Sequence, residues 1–459
     1  MHGESGDGLR EELLSAVLDD LSVIAETNDV SGLSRPEAEE RVARLETWLD
    51  EHDYADLYVC QILGWMTWYR AHLDPEGSRE PRMRRAVELL LNPYANGVSH
   101  LPQPLLRHLA DAVEDVAIDR LRQVFVVDEP ELLAHTVTLW QRIVADTPLD
   151  SPDRATRLSN LAGALHQRAM RAGPDADAAD LDSAIELLTA AAAARQEGAP
   201  SPADLSNLGQ ILLTRYRLTG TRSDLDAAIA TIREAAAVVP DSPSILVLLG
   251  SALRERFAAT GDPSNLTDAL ACLRTADRVA PRDHHERGTI HANLGSALLD
   301  LAARTHLMSD LDEAMAQLDL ALAHTPEGHA SREQIASLRA KAQEERDRGH
   351  EARELLQLMT ERIPPVPGPI PGQNDDDPAS TLMGVGGMCR LRSQVEPDPE
   401  GTHWLDMAIA YYRAALATAE PGHPRRADML SLLGTALAAR GPSGPPTPPD
   451  GGAAASGAS

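Results

Sequence analysis

Aromatic side chains make up only 3% of the 459 residues, with two phenylalanines in the whole sequence. A core built on large flat rings is therefore excluded. What remains is abundant alanine and leucine, which suits helices that cross closely over small side chains. Cysteine is almost as scarce. Cys60, Cys272 and Cys389 are far apart and odd in number, which argues against a disulfide framework and against a zinc knuckle. Basic residues are outnumbered by acidic ones, 42 to 70, for a formal net charge of −28. A chain this acidic repels phosphate backbones and anionic lipid, so neither nucleic acid nor a membrane surface is expected as a partner. A basic protein segment is attracted instead. No run of about 18 apolar residues occurs. The stretch from Met1 to Arg10 is polar and has no apolar segment of signal-peptide length. The expected compartment is the cytoplasm.

The sequence does contain repetition. Leu205-Ser-Asn-Leu208-Gly209 recurs as Leu158-Ser-Asn-Leu161-Ala162, and more loosely at 246–250, 291–295 and 430–434. A second phrase begins at Leu181, Leu225, Leu266, Leu311 and Leu405, in each case running Leu-Asp/Thr-x-Ala-aliphatic or Met. Its continuation is regular: Ala228, Ile232, Ala235 and Pro240, then Ala269, Leu273, Ala276 and Pro281, then Ala314, Leu318, Ala321 and Pro326. Steps of four and three trace one face of a helix, and the proline ends it. The first phrase predicts another helix, whose glycine or alanine lets its partner approach. Two helices per unit, with a small residue in the first and Ala-x3-large-x2-Ala-x4-Pro in the second, resemble the tetratricopeptide repeat (TPR). Gly209 precedes Ala228 by 19 residues, more than is usual in that family. The excess is close to two helical turns, which keeps the apolar face in phase. The expected fold is thus all-α, an α-solenoid of TPR-like helix pairs with lengthened first helices.

Weaker copies extend the array. The expected organisation is an N-terminal helical cap at 1–56, degenerate helical repeats at 57–150 and a repeat core at 151–330. A short repeat of two helices follows at 331–364, then a Pro/Asp-rich linker at 365–380. A repeat and a half at 381–440 and a disordered tail at 441–459 complete the chain.

A narrower resemblance rests on Leu63-Gly-Trp-Met-Thr-Trp-Tyr-Arg70, on Gly97-Val98 with Leu101-Pro102, on Ser151-Pro-Asp-Arg154, and on Gly422-His-Pro-Arg425. With the repeats, these are similar to long actinobacterial proteins that carry such arrays ahead of a caspase-like CHAT peptidase domain. The resemblance implies a regulatory half acting with a separate catalytic partner as the alternative to a plain scaffold. The peptidase activity itself does not carry over, because all three cysteines fall in helical repeat phrases and the chain is expected to end mid-unit.

Few residues suggest chemistry. His284, His285 and His291 with Asp283 and Glu286 read as a polar inter-repeat turn rather than a metal site. Gly384, Gly386 and Gly387 have no following Gly-Lys-Ser/Thr and make no phosphate loop. No cofactor and no catalytic group is expected. The aspartates of the second phrase, with Arg215 and Arg256, read as turn, capping or inter-helix pairing groups. The sharper signal is Asn160, Asn207 and Asn293, each just before the Leu-Gly/Ala pair of a first helix. In TPR proteins first helices line the inner groove, and the resemblance implies that these amides bond the backbone of an extended peptide. A bond to a neighbouring repeat or to a helix carbonyl is the other reading. Leu248 and Leu432 interrupt the series.

Overall fold

The structure, a computed structural model, describes residues 4–27, 29–195, 200–361, 363–365, 367, 377–396 and 400–441. The expected linker at 365–380 lies mostly, and the expected tail at 441–459 almost wholly, outside the described residues. The chain divides into two compact units, 1–280 and 281–459. Among the described residues there is no strand, and no helix is long and apolar enough to cross a membrane.

The first unit opens with α1 (Glu4–Thr27) and α2 (Pro36–Glu51), which share a core with α3 (Leu57–Ala71). There follow α4 (Glu80–Ala95), the short α5 (Leu106–Ala112), α6 (Glu114–Val126) and α7 (Pro130–Asp146). Three long pairs complete it: α8 (Arg154–Ala172) with α9 (Ala178–Ala194), α10 (Pro202–Thr219) with α11 (Arg222–Val238), and α12 (Pro243–Thr260) with α13 (Pro263–Val279). The second unit contains α14 (Arg287–Thr305) with α15 (Met308–His324), the single helix α16 (Ser331–Thr360), α17 (Pro378–Val395) with α18 (Glu400–Thr418), and α19 (Arg426–Arg440).

Local chemistry sets the boundaries. Ser201 and Ser242 cap α10 and α12 by accepting backbone N–H bonds, each with proline at the first turn. Gly220 and Gly261 end the same helices in the left-handed conformation, φ 73° and 71°. The small residue of each first helix then does what its spacing predicts. A Cβ added to Gly250 would stand 2.7 Å from Leu273 Cγ, and one added to Gly295 would stand 2.7 Å from Leu318 Cγ. Gly64 meets Leu90, Gly209 meets Ile232 and Gly386 meets Tyr412 in the same way. Ile232, Leu273 and Leu318 are all fully buried, and each such burial contributes about 1.5–3 kcal/mol.

Neighbouring first helices also touch, α8 on α10 and α10 on α12, so the pairs stack in chain order. The architecture is all-α, an α-solenoid of TPR-like pairs whose first helices reach 18 or 19 residues.

Residues 331–364 depart from the expected helix pair. Ser331–Thr360 is one continuous helix of 30 residues. It contains no proline and only Gly349 as a breaker. A lone interior glycine costs about 1 kcal/mol, too little to end a helix rich in Glu, Arg, Leu and Gln. Gly349 instead makes room for Met308.

Candidate functional site

Three sets of polar groups fix the first helices. The first is an arginine six residues after the small residue. Arg215 donates to Asp224, on its own second helix, from Nε and Nη2 at 2.9 and 2.8 Å, and to Asp182, on the preceding second helix, from Nη1 at 2.6 Å. Arg168 makes the same fork to Asp180 at 2.7 and 2.6 Å. Arg256 donates to Asn265 at 2.7 Å and lies 3.7 Å from Asp226. In the second unit Arg346 pairs with Asp312 at 2.9 Å and Arg440 with Asp406 at 2.5 Å. The aspartates of the second phrase are therefore inter-helix pairing groups. Each half-exposed pair contributes little energy, about 0.2–1 kcal/mol. Their planar two-point geometry sets the register between helices.

The second set went unread in the sequence. Arg154 donates to the Val144 and Thr147 carbonyls at 3.4 and 2.7 Å, and Arg426 to those of Leu416 and Ala419 at 3.1 and 3.0 Å. Arg332 does the same for Leu322 and Thr325. Each covers the open carbonyls of the helix before it, where a cation is favoured. The signal was a constant offset: each arginine lies ten and seven residues after its two acceptors.

The third set joins first helices to each other. Asp204 is buried, and its carboxylate accepts from Ser159 at 2.7 Å, from Arg195 at 2.8 and 2.5 Å and from the Ser201 backbone N–H at 3.3 Å. Burial pushes its pKa up, but the bonds from Ser159, Ser201 and Arg195 outweigh this and leave it below the ordinary carboxylate value. Higher up, His166 meets Thr214 at 2.9 Å (Nε2 to Oγ1). Thr214 gives its own proton to the Gln210 carbonyl at 3.0 Å, so His166 Nε2 is the donor to Thr214.

Burial, with the nearby Arg217 charge, pushes the His166 pKa down to about 4. A lowered folded-state value means that the unfolded chain binds the proton first. Stability is then complete above pH 6.5 and falls as pH drops from 6.5 to about 4, by roughly 3 kcal/mol if His166 alone is responsible. His166→Gln should flatten the melting temperature across that window. The acid loss from Asp204, which begins lower, should persist. An unchanged slope between pH 6.5 and 4 would rule out His166 as its source.

The asparagines occupy first helices in different surroundings. Asn160 on α8 is half-buried and Asn207 on α10 is exposed, and neither makes a hydrogen bond among the described residues. Asn293 on α14 donates to the carbonyl of Thr289 at 2.9 Å, the helix-carbonyl bond that the sequence left open.

The other chemistry-bearing residues have structural settings. Cys60 and Cys389 are buried in α3 and α17, and burial pushes both thiols up to about 11. Burial also raises Cys272, half-buried in α13. Thiols so held stay protonated near neutrality and are poor nucleophiles. His284 stacks on His285 and accepts from the Glu286 N–H at 3.2 Å. His291 faces Gln317 at 2.9 Å and stacks on His324. No group of three metal-ligating side chains converges among the described residues. Gly384, Gly386 and Gly387 lie inside helix α17.

No family model and no curated protein matches the chain. Several solved structures are similar to it. One is a thermophilic TPR protein of Thermus thermophilus, 20% identical at TM-score 0.35, covering 48% of this chain and 98% of that one. Another is the C-terminal part of a TPR repeat-containing protein from Cytophaga hutchinsonii, 14% identical at TM-score 0.32, covering 68% and 99%. A third is the APC/C hetero-tetramer Cut9–Hcn1, 14% identical at TM-score 0.33, covering 88% of this chain and 59% of that one.

Proposed function

We propose that the chain is a non-enzymatic scaffold that holds a partner protein or an extended peptide on the groove lined by its first helices. The observation that supports this is the pair Asn160 and Asn207. They stand at the same register of adjacent first helices, and their amides have no hydrogen-bond partner among the described residues. An amide carries donors and an acceptor, the complement of a peptide group. Asn293, whose amide already serves Thr289, contributes less. The net charge of −28 favours a basic ligand and a nucleic acid is not expected.

A displayed peptide library selected against the full chain provides the ligand for the test. Asn207→Ala should weaken selected peptides by roughly threefold to tenfold, the loss of one or two neutral hydrogen bonds of about 0.5–1.5 kcal/mol. The loss should be similar across ligand sequences, because the main chain is what is held. Affinity should also fall as salt rises. The melting temperature should not move, since Asn207 is exposed. A lower melting temperature with unchanged affinity would assign the asparagine to holding the fold.

A further inference from the structure

The α8–α9 pair is joined differently from the two pairs after it. From Ala162 to Ala184 is 22 residues, against 19 from Gly209 to Ala228 and from Gly250 to Ala269. The extra residues all fall between helices. Residues 173–177 join α8 to α9, whereas residues 220–221 and 261–262 suffice for the next two pairs. Beside the longer connection, between the ends of α8 and α10, lies a pocket of about 370 Å³. Ala169 and Leu181 form its buried floor, and Met170, Ala176, Thr214 and Leu218 its walls.

Register explains why the pocket is apolar. Met170 stands eight residues after the small residue of α8 and Thr214 five after that of α10. Met170 Sδ lies 3.5 Å from the Thr214 hydroxyl. One pair along, the same two positions hold Arg217 and Glu255, an ion pair at 2.5 Å. Arg217 also borders the pocket, so its charge is met by Glu255 at the rim. Thr214 is satisfied as well, accepting from His166 and donating to the Gln210 carbonyl. A charged occupant therefore meets no uncompensated charge among the lining residues, while an apolar one covers the Met170 thioether, 45% exposed.

The pocket lies on the stripe of α10 that carries Asn207. Asn207, Thr214 and Leu218 are spaced seven and four residues apart, which keeps them on one helix face. Thr214 and Leu218 stand about 10 and 16 Å along the helix from Asn207. An extended peptide covers those distances in about three and five residues. We infer that the pocket anchors one large apolar side chain, leucine, methionine or phenylalanine, of the peptide whose main chain Asn207 holds. That side chain stands about three to five residues from the bonded peptide group. The inference rests on the groove reading above and adds to it a determinant of ligand sequence.

The test uses the full chain and labelled peptides selected against it from the displayed library, followed by fluorescence anisotropy. The selected sequences should share a large apolar residue whose replacement by alanine weakens binding at least tenfold. Ala176→Leu, which fills the pocket from a position between α8 and α9, should weaken binding to the same degree. Met170→Gln should weaken it severalfold, and neither variant should move the melting temperature. The loss from Ala176→Leu should vanish for the alanine-substituted peptide, because that peptide no longer enters the pocket. Peptides that respond to Asn207→Ala but to neither pocket variant overturn the inference and leave the groove reading intact. Peptides that respond to the pocket variants but not to Asn207→Ala support the pocket and remove the asparagine reading. Recovery of no peptide overturns both. Decanoate that binds the full chain saturably but not Ala176→Leu, with peptides indifferent to that variant, assigns the pocket to a free amphiphile and overturns the inference as well.

Discussion

Arg157→Met is expected to destabilise the 1–280 unit by about 3–5 kcal/mol. Arg157 is 1% exposed, yet it carries a full positive charge. From α8 it reaches three elements: Glu114 Oε2 at 2.7 and 3.1 Å, Asp111 Oδ1 at 2.8 Å, and Thr147 Oγ1 at 2.9 Å. Asp111 closes α5, Glu114 opens α6 and Thr147 follows the end of α7. One guanidinium thus pins the irregular corner between α5 and α6 to the first regular pair. Methionine fills much of the volume but leaves Glu114, mostly buried, with no counter-charge. Lysine keeps the charge without the planar fork, so Arg157→Lys should recover only part of the loss. Glu114→Gln should cost less than Arg157→Met, because Asp111 still faces the arginine. Chemical denaturation of the three variants decides the matter. A loss below 1 kcal/mol for Arg157→Met would mean that the corner is held by its apolar contacts alone.

This residue also marks where sequence reading stops. The helix pairs were legible because their signal is local and repeated: a small residue, an apolar stripe and a proline at fixed offsets. The same offsets placed Gly209 under Ile232 and Gly250 under Leu273. Arg157 has no such repetition. Its partners lie 43 and 46 residues away, on a corner that occurs once. The capping arginines Arg154, Arg332 and Arg426 were recoverable from their constant spacing, but only once the helix ends were known. The two-helix reading of 331–364 failed for another reason. Periodicity finds faces, and a single long helix keeps the same faces through a position such as Gly349. Among the candidate binding residues the sequence placed all three asparagines on first helices. It could not distinguish Asn293, with its bond to Thr289, from Asn160 and Asn207, because an i to i−4 side-chain bond depends on rotamer and not on residue type.

The glycine that defines each pair gives the second large effect. Gly250→Leu should destabilise the α12–α13 pair by about 3 kcal/mol, the upper end of the usual overpacking range. Even a Cβ at this position would stand 2.7 Å from Leu273 Cγ and 3.3 Å from the Ala269 carbonyl oxygen. Leu273 is fully buried and cannot swing into solvent, and the carbonyl belongs to the backbone of α13. The two helices must therefore move apart. Gly250→Ala should cost far less, since Ala162 occupies the equivalent place in α8 and alanine regains up to about 1 kcal/mol of helix propensity. Gly163 provides the control: it sits in the middle of α8 with nothing within 4 Å of a built Cβ, so Gly163→Ala should stabilise. Shortening the opposing side chain should relieve the clash. Leu273→Ala alone should cost about 2–5 kcal/mol, and the double variant with Gly250→Leu should cost clearly less than the two losses added, because each fills what the other disturbs. Because stacked repeats respond locally, hydrogen exchange should show the loss of protection concentrated in α12 and α13. Additive losses, or a Gly250→Leu effect within 0.5 kcal/mol of zero, would mean that the close approach at Gly250 is not what fixes the pair.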